Sequence, residues 1–267
     1  MERLIDTAGG PHRSLDPTRR QDRRLALGGL TAVVLLAWLY LWHSAAQMAP
    51  GTMPMAAMPR ATDAGALALT FVMWTVMMAG MMLPSAAPAI VLYGALARKH
   101  GARGRLLPGV WLFTAAYLVV WTLFSAMATL LQAALDAGAL LGPDMATTST
   151  TLAGATLIAA GLYQLTPLKA ACLGRCRDPL TFFLTRWRDG PLGAFRMGLA
   201  HGGYCLGCCW ALMLLLFVAG VMNLVWVALI AAFVFVEKLL PGARAVTLAA
   251  SVALVAAGLF LLTGGPL

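Results

Sequence analysis

"LAHGGYCLGCCWALMLLLFVAGVMNLVWVALIAAFVFVEKLL", residues 199–240, runs for 42 residues with no charge before its last few positions. A bilayer hydrocarbon core of about 30 Å takes about 20 residues of helix. The stretch is too long for one crossing and fits two. "GVMN" (220–223) supplies the turn, so helices are expected at 199–220 and 224–238.

Five more apolar segments surround this one, at 25–42, 66–93, 107–132, 149–168 and 243–262. The chain of 267 residues is 61% hydrophobic and 11% charged, where a soluble domain carries about 25% charged residues. The expectation is an all-α fold, a polytopic membrane helix bundle of about seven transmembrane helices. The bilayer is its first partner, and a bacterial inner membrane its expected place.

The net charge of +9 is not read as a nucleic-acid patch, because the basic residues sit in short loops beside apolar runs. With the N-terminus cytoplasmic, 18 of the 19 Lys and Arg fall on the cytoplasmic side and only Arg60 outside, which is the distribution that orients membrane helices. The chain then divides into three parts. Residues 1–24 form a basic cytoplasmic tail with six arginines. Residues 25–65 hold the first helix and an external Met-rich loop, and 66–267 the metal-binding bundle. The 25–42 run is long and carries Trp and Tyr at its outer end, which favours a retained helix over a cleaved signal peptide. The segment 169–198 mixes six basic residues with aromatics and leucines, and reads as lying along the membrane surface. Glu237 and Lys238 read as interfacial, with their charges in water.

Three of the five cysteines, Cys205, Cys208 and Cys209, fall within five positions, four residues after His201. On a helix, all four occupy an arc of about 100°. Met197 and Met213 extend the same side. Packing is the plain alternative, since free Cys behaves as a small hydrophobe, but three thiols with a histidine at this spacing favour a metal site. His201 and Cys209 are about 12 Å apart along the axis, so one ion cannot take all four; a neighbouring helix is expected to add donors. Gly202, Gly203 and Gly207 leave room for its approach. Cys172 and Cys176 are expected at the cytoplasmic face as exchange ligands. An odd count of thiols in a reducing compartment argues against a disulfide framework.

Nine of the fifteen methionines lie between positions 48 and 82. "MWTVMMAGMMLPSAAP" (73–88) sets Met77 and Met81 in one row with Met73, and Met78 and Met82 in a second. The loop "MAPGTMPMAAM" (48–58) adds four more. Uncharged thioethers select Cu(I) and Ag(I) among biological cations. Counted by helical rise from residues 66 and 199, the methionines and the thiols reach the same depth from opposite sides, so the 66–93 and 199–220 helices are expected to face each other. Pro84 and Pro88 each free a backbone carbonyl that something else must satisfy.

"MWTVMMAGMMLPSAAP", "YQLTPLKAACLGRCRDPL" and "GLAHGGYCLGCCWALMLLLFVAGVMNLVW", followed by "EKLLP", resemble an uncharacterised bacterial family of predicted metal-binding integral membrane proteins, some of whose members are labelled copper chaperones. The resemblance spans about residues 66–262 and leaves the Met-rich loop outside it.

The combined expectation is a non-enzymatic membrane protein that handles Cu(I), with a copper chaperone or a membrane cuproenzyme as its exchange partner. Methionines would receive the ion, Cys205, Cys208 and Cys209 hold it beside His201, and Cys172 and Cys176 exchange it. No ATP-binding G-x4-G-K motif is present. Import and delivery both fit. Two rivals remain: a thiol–disulfide relay through the Cys205–Cys208 pair and Cys172/Cys176, and a structural zinc site, which would use Cys and His and ignore Met.

Overall fold

The computed structural model describes residues 17–47, 63–100, 106–142, 145–240, 242 and 244–265. The Met-rich stretch 48–58 and most of the basic tail lie outside the described residues. Among the described residues every named element is a helix: α1 (Pro17–Gln47), α2 (Ala64–Lys99), α3 (Leu106–Ala137), α4 (Thr150–Gln164), α5 (Pro167–Arg177), α6 (Pro179–Arg186), α7 (Gly190–Leu214), α8 (Leu216–Ala219), α9 (Leu224–Leu239) and α10 (Arg244–Leu262).

All seven apolar segments are helical, but they are not equal. Five helical stretches are long and apolar enough to cross a membrane: Arg24–Gln47, Ala64–Lys99, Leu107–Ala137, Gly190–Ala219 and Arg244–Leu262. α4 has 15 residues and α9 has 16. At helical rise these reach about 22–24 Å, short of a core of about 30 Å. The expected turn between α7 and α9 is present, with Gly220 at φ 90°, a backbone state open to glycine.

The segment 169–198 opens with two short helices that pack one side on the bundle. Thr166 and Asp178 each accept a hydrogen bond from a first-turn amide, Lys169 N at 3.3 Å and Thr181 N at 3.0 Å. A proline opens each helix, where its missing N–H costs nothing. α5 and α6 are thereby fixed as short helices, and they fold inward. Lys169, Leu173, Phe182 and Phe183 are buried, and α5 packs on α7. α7 also begins at Gly190 rather than 199, so the thiols lie further along it than the count from 199 gave.

α3 packs against both α2 and α7. The methionine and cysteine helices meet as expected through side chains, with Met82 Sδ 3.9 Å from Cys209 Sγ, while α3 supplies the larger backbone contact to each. Small residues make the contacts close. A methyl group at Gly198 would sit 2.2 Å from the Phe113 carbonyl oxygen, and one at Gly202 would sit 2.9 Å from Val120. Gly203, grouped with them by sequence, faces open space. α4 and α10 meet the same way: a methyl at Gly154 would lie 2.9 Å from the Gly258 oxygen, and Ser251 Oγ donates to the Gly161 carbonyl at 2.7 Å.

Gly198→Val is expected to destabilise the detergent-solubilised protein by about 1–3 kcal/mol, the usual cost of overpacking. Gly203→Ala is expected to be neutral within experimental scatter. Thermal unfolding of the two variants beside the wild type checks the pair; equal melting would remove the close α3–α7 contact.

Candidate metal centre

α7 is helical through its whole cysteine-bearing stretch, so Met197, His201, Cys205, Cys209 and Met213 recur every four residues along one face. All five are buried, as is Cys208. The glycines at 198 and 202 bring this face against α3. There Tyr117 Oη lies 3.0 Å from Cys205 Sγ and donates to the Met82 carbonyl of α2 at 3.3 Å. Ser85 Oγ donates to the same carbonyl at 2.9 Å. These two hydroxyls gather on the α2 turn that carries Pro84, but at the Met82 carbonyl; the carbonyls that Pro84 and Pro88 free are those of Gly80 and Pro84.

Of the four helix-borne methionines singled out in sequence, Met82 is the one that reaches a thiol among the described residues. Its Sδ lies 3.9 Å from Cys209 Sγ. Sulfur ligands at about 2.3 Å from an ion stand at most about 4.6 Å apart, so this pair already has a separation that one ion can span. Met77, Met78 and Met81 are buried on the same helix.

The Cys208 and Cys209 thiols each donate to the Cys205 carbonyl at 3.1 Å. The Cys205 sulfur accepts from Lys238 Nζ at 2.9 Å. No three His, Cys, Asp or Glu side chains among the described residues converge as a ready-made metal cage.

α5 supplies the remaining two thiols. Cys176 interacts with Cys208 side chain to side chain. Cys172 Sγ lies 2.7 Å from where a methyl at Gly207 would sit, and the Tyr163 hydroxyl donates to the Gly207 carbonyl. The missing side chain at 207 thus lets α5 seat on α7. Cys172 and Cys176 are half-buried while the other three thiols are buried, and all five are free. Cys176 is thus in contact with the α7 thiols.

His201 sits one helical turn before Cys205, enclosed by Phe113, Tyr117 and Phe182 with ring centroids 6.0, 6.0 and 5.6 Å away. Its Nδ1 is buried without a hydrogen-bond partner.

The expected interfacial position of Glu237 and Lys238 is contradicted. Both are buried, Glu237 at 1% exposure and Lys238 at 6%. Lys169 Nζ pairs with Glu237 Oε2 at 2.7 Å, Thr247 Oγ1 donates to Glu237 Oε1 at 2.6 Å, and Lys169 also donates to Gln164. Burial is tolerated because each charge is hydrogen-bonded. Lys238, Tyr117 and Ser85 are the site residues that sequence reasoning missed. A signal existed for Lys238: an ionisable residue at the end of an apolar run is a candidate interior group.

Comparison with known proteins gives one match. A family model described as PpoB2, copper chaperone, covers residues 71–261. No curated protein matches, and no solved structure does. The matched span begins in α2 and ends in α10, so it contains all five cysteines, His201, Met82 and Lys238, and excludes α1 and the Met-rich loop. The chain belongs to this copper chaperone family.

Lys169→Met alone is expected to cost about 3–5 kcal/mol, because it strands a buried carboxylate. The double variant Lys169→Met/Glu237→Leu is expected to regain most of that loss. Unfolding of single and double variants in one detergent checks the difference; equal loss in both would mean that the cost comes from losing the pair's own contacts and not from a stranded carboxylate.

Proposed function

We propose that this copper chaperone family member is a non-enzymatic bacterial inner-membrane protein that binds Cu(I) as cargo between α2, α3 and α7 and hands it on. What carries the reading is the sulfur pair Cys209–Met82 at 3.9 Å, a thiol and a thioether from two different helices at a separation that one ion spans. Thioethers bind Cu(I) and few other biological cations, so a mixed thiol–thioether set favours copper over zinc.

Cys205, Cys208 and Cys209 hold the ion with Met82 in this scheme, and a small rotation of the Cys208 and Cys209 thiols off the Cys205 carbonyl turns their lone pairs inward. Cys176, in contact with Cys208, is the next ligand outward, and Cys172 the one after it. Exchange of a soft ion between neighbouring thiols needs no nucleotide. The enclosure of the cluster supports delivery to a partner, such as a membrane cuproenzyme, over continuous flow through a pore. His201, one turn away with a free ring nitrogen, serves as a neighbouring waypoint with Met197. Met77, Met78 and Met81 line the α2 side of the same route.

The test is titration of Cu(I) into reduced, detergent-purified protein against a competing chelator. Near-stoichiometric tight binding is expected for the wild type and loss of it for Cys205→Ser/Cys208→Ser/Cys209→Ser. Met82→Leu is expected to weaken binding roughly tenfold, the order of one soft ligand's share. Equal weak binding by the wild type and the triple variant would overturn the copper reading and leave the thiol–disulfide relay in its place.

A further inference from the structure

Lys238 is the one residue of the centre whose chemistry opposes a metal ion. Its ammonium is buried at the end of α9. It donates to Cys205 Sγ at 2.9 Å and to Ser85 Oγ at 3.0 Å. Both acceptors belong to the sulfur cluster or its immediate wall. The neighbouring carboxylate does not neutralise it, because Glu237 is turned to Lys169 and Thr247. The groups facing the ammonium are a thiol from α7 and a hydroxyl from α2, with the Tyr117 hydroxyl of α3 on the far side of the same sulfur. A full positive charge therefore stands within hydrogen-bonding distance of a cysteine of the proposed copper site, held there by the fold.

We propose that Lys238 is a specificity-determining residue that makes the centre selective for a monovalent soft ion, Cu(I) or Ag(I), over divalent ions such as Zn(II). The reason is Coulombic and does not depend on how many thiolates bind. A fixed positive charge repels a divalent ion twice as strongly as a monovalent ion at the same position. Thiol ligands alone do not give this discrimination, since zinc takes thiolates readily. The ammonium also fills the place of a cation before one arrives: it satisfies Cys205 in the metal-free protein, so the buried sulfur is never left unpartnered. Ser85 gives the ammonium a second anchor, which keeps it beside the site when Cys205 turns to a metal. The two adjacent charges of α9 thus have separate tasks. Glu237 fastens the helix end to α5 and α10, and that fastening aims Lys238 at the sulfur.

This inference rests on the copper-binding reading, and the experiment separates the two. Cu(I) and Zn(II) affinities are measured by chelator competition for the wild type, Lys238→Met and Lys238→Arg, each checked for a single species by size-exclusion chromatography. The ratio of Cu(I) to Zn(II) affinity is expected to fall at least about tenfold in Lys238→Met and to stay near wild type in Lys238→Arg, which keeps the charge. If Lys238→Met does not elute as a single species, Lys238→Gln is read in its place. An unchanged ratio in the neutral variant, with copper binding intact, overturns the inference and leaves the copper reading standing. Wild-type protein that keeps stoichiometric Zn(II) through a chelating resin also overturns it. Failure of the wild type to bind Cu(I) overturns the copper reading itself.

Discussion

The close approach of α7 to α3 across Gly198 and Gly202 is the contact on which the rest of the centre depends. With no side chain at either position, the α7 backbone comes within van der Waals range of the Phe113 and Tyr117 carbonyls. Tyr117 then lies directly against Cys205 and bridges to the Met82 carbonyl of α2. α2 and α7 each pack on α3 and meet one another through side chains, Met82 reaching Cys209, and the tyrosine hydroxyl fixes the α2 turn from which Met82 reaches. A methyl group on either glycine would meet α3 at less than 3.0 Å and so disturb the side of α7 that carries the thiols.

A second constraint comes from burying ions in an apolar bundle. Lys169, Glu237 and Lys238 are all interior, and buried charges persist only when paired and hydrogen-bonded. Glu237 and Lys169 satisfy each other, with Thr247 and Gln164 completing the set. Lys238 has no such carboxylate and takes its partners from the metal centre. The polar network and the sulfur cluster are therefore one continuous arrangement, joined at the last turn of α9. The end of α9 is held to α5 and α10 by the Glu237 contacts with Lys169 and Thr247, where the sequence suggests charges in water.

Much of this was legible in the sequence, for physical reasons that can be named. The thiols and His201 share a face because helical periodicity is local, and nothing tertiary was needed to see it. Gly202 and Gly207 were rightly taken as contact points, though only neighbours reveal that Gly203 is open. The pairing of methionines with cysteines is present for Met82, while the packing of α3 on both helices was not legible, since depth along an axis carries no lateral information. Which residues of α5 and α6 turn toward the bundle was not legible either, because basic and aromatic residues suit a membrane surface and a satisfied interior equally well. Thr166-Pro167 and Asp178-Pro179 were the local signals of two capped helices. The charges of Glu237 and Lys238 were read as solvated because they end an apolar run, and only Lys169, 68 positions away from Glu237, gives the carboxylate its partner.

The placement of α5 sets a gradient of burial among the five thiols. Its two cysteines are half-buried where those of α7 are buried, and it is held to α7 largely through the notch at Gly207. Sulfur donors accordingly run from the deep pair Cys209–Met82, through Cys208 and Cys176, to Cys172. Each step joins neighbours already in contact or one helical turn apart, so an ion moving along it exchanges one sulfur for another and is never left bare in a medium where an unsolvated charge is costly. A single deep cage with the same donors would hold copper as firmly but would offer no partner a thiol to attack. In the proposed scheme the eleven-residue α5, with its two half-buried thiols, is the element through which a buried site would give its cargo away.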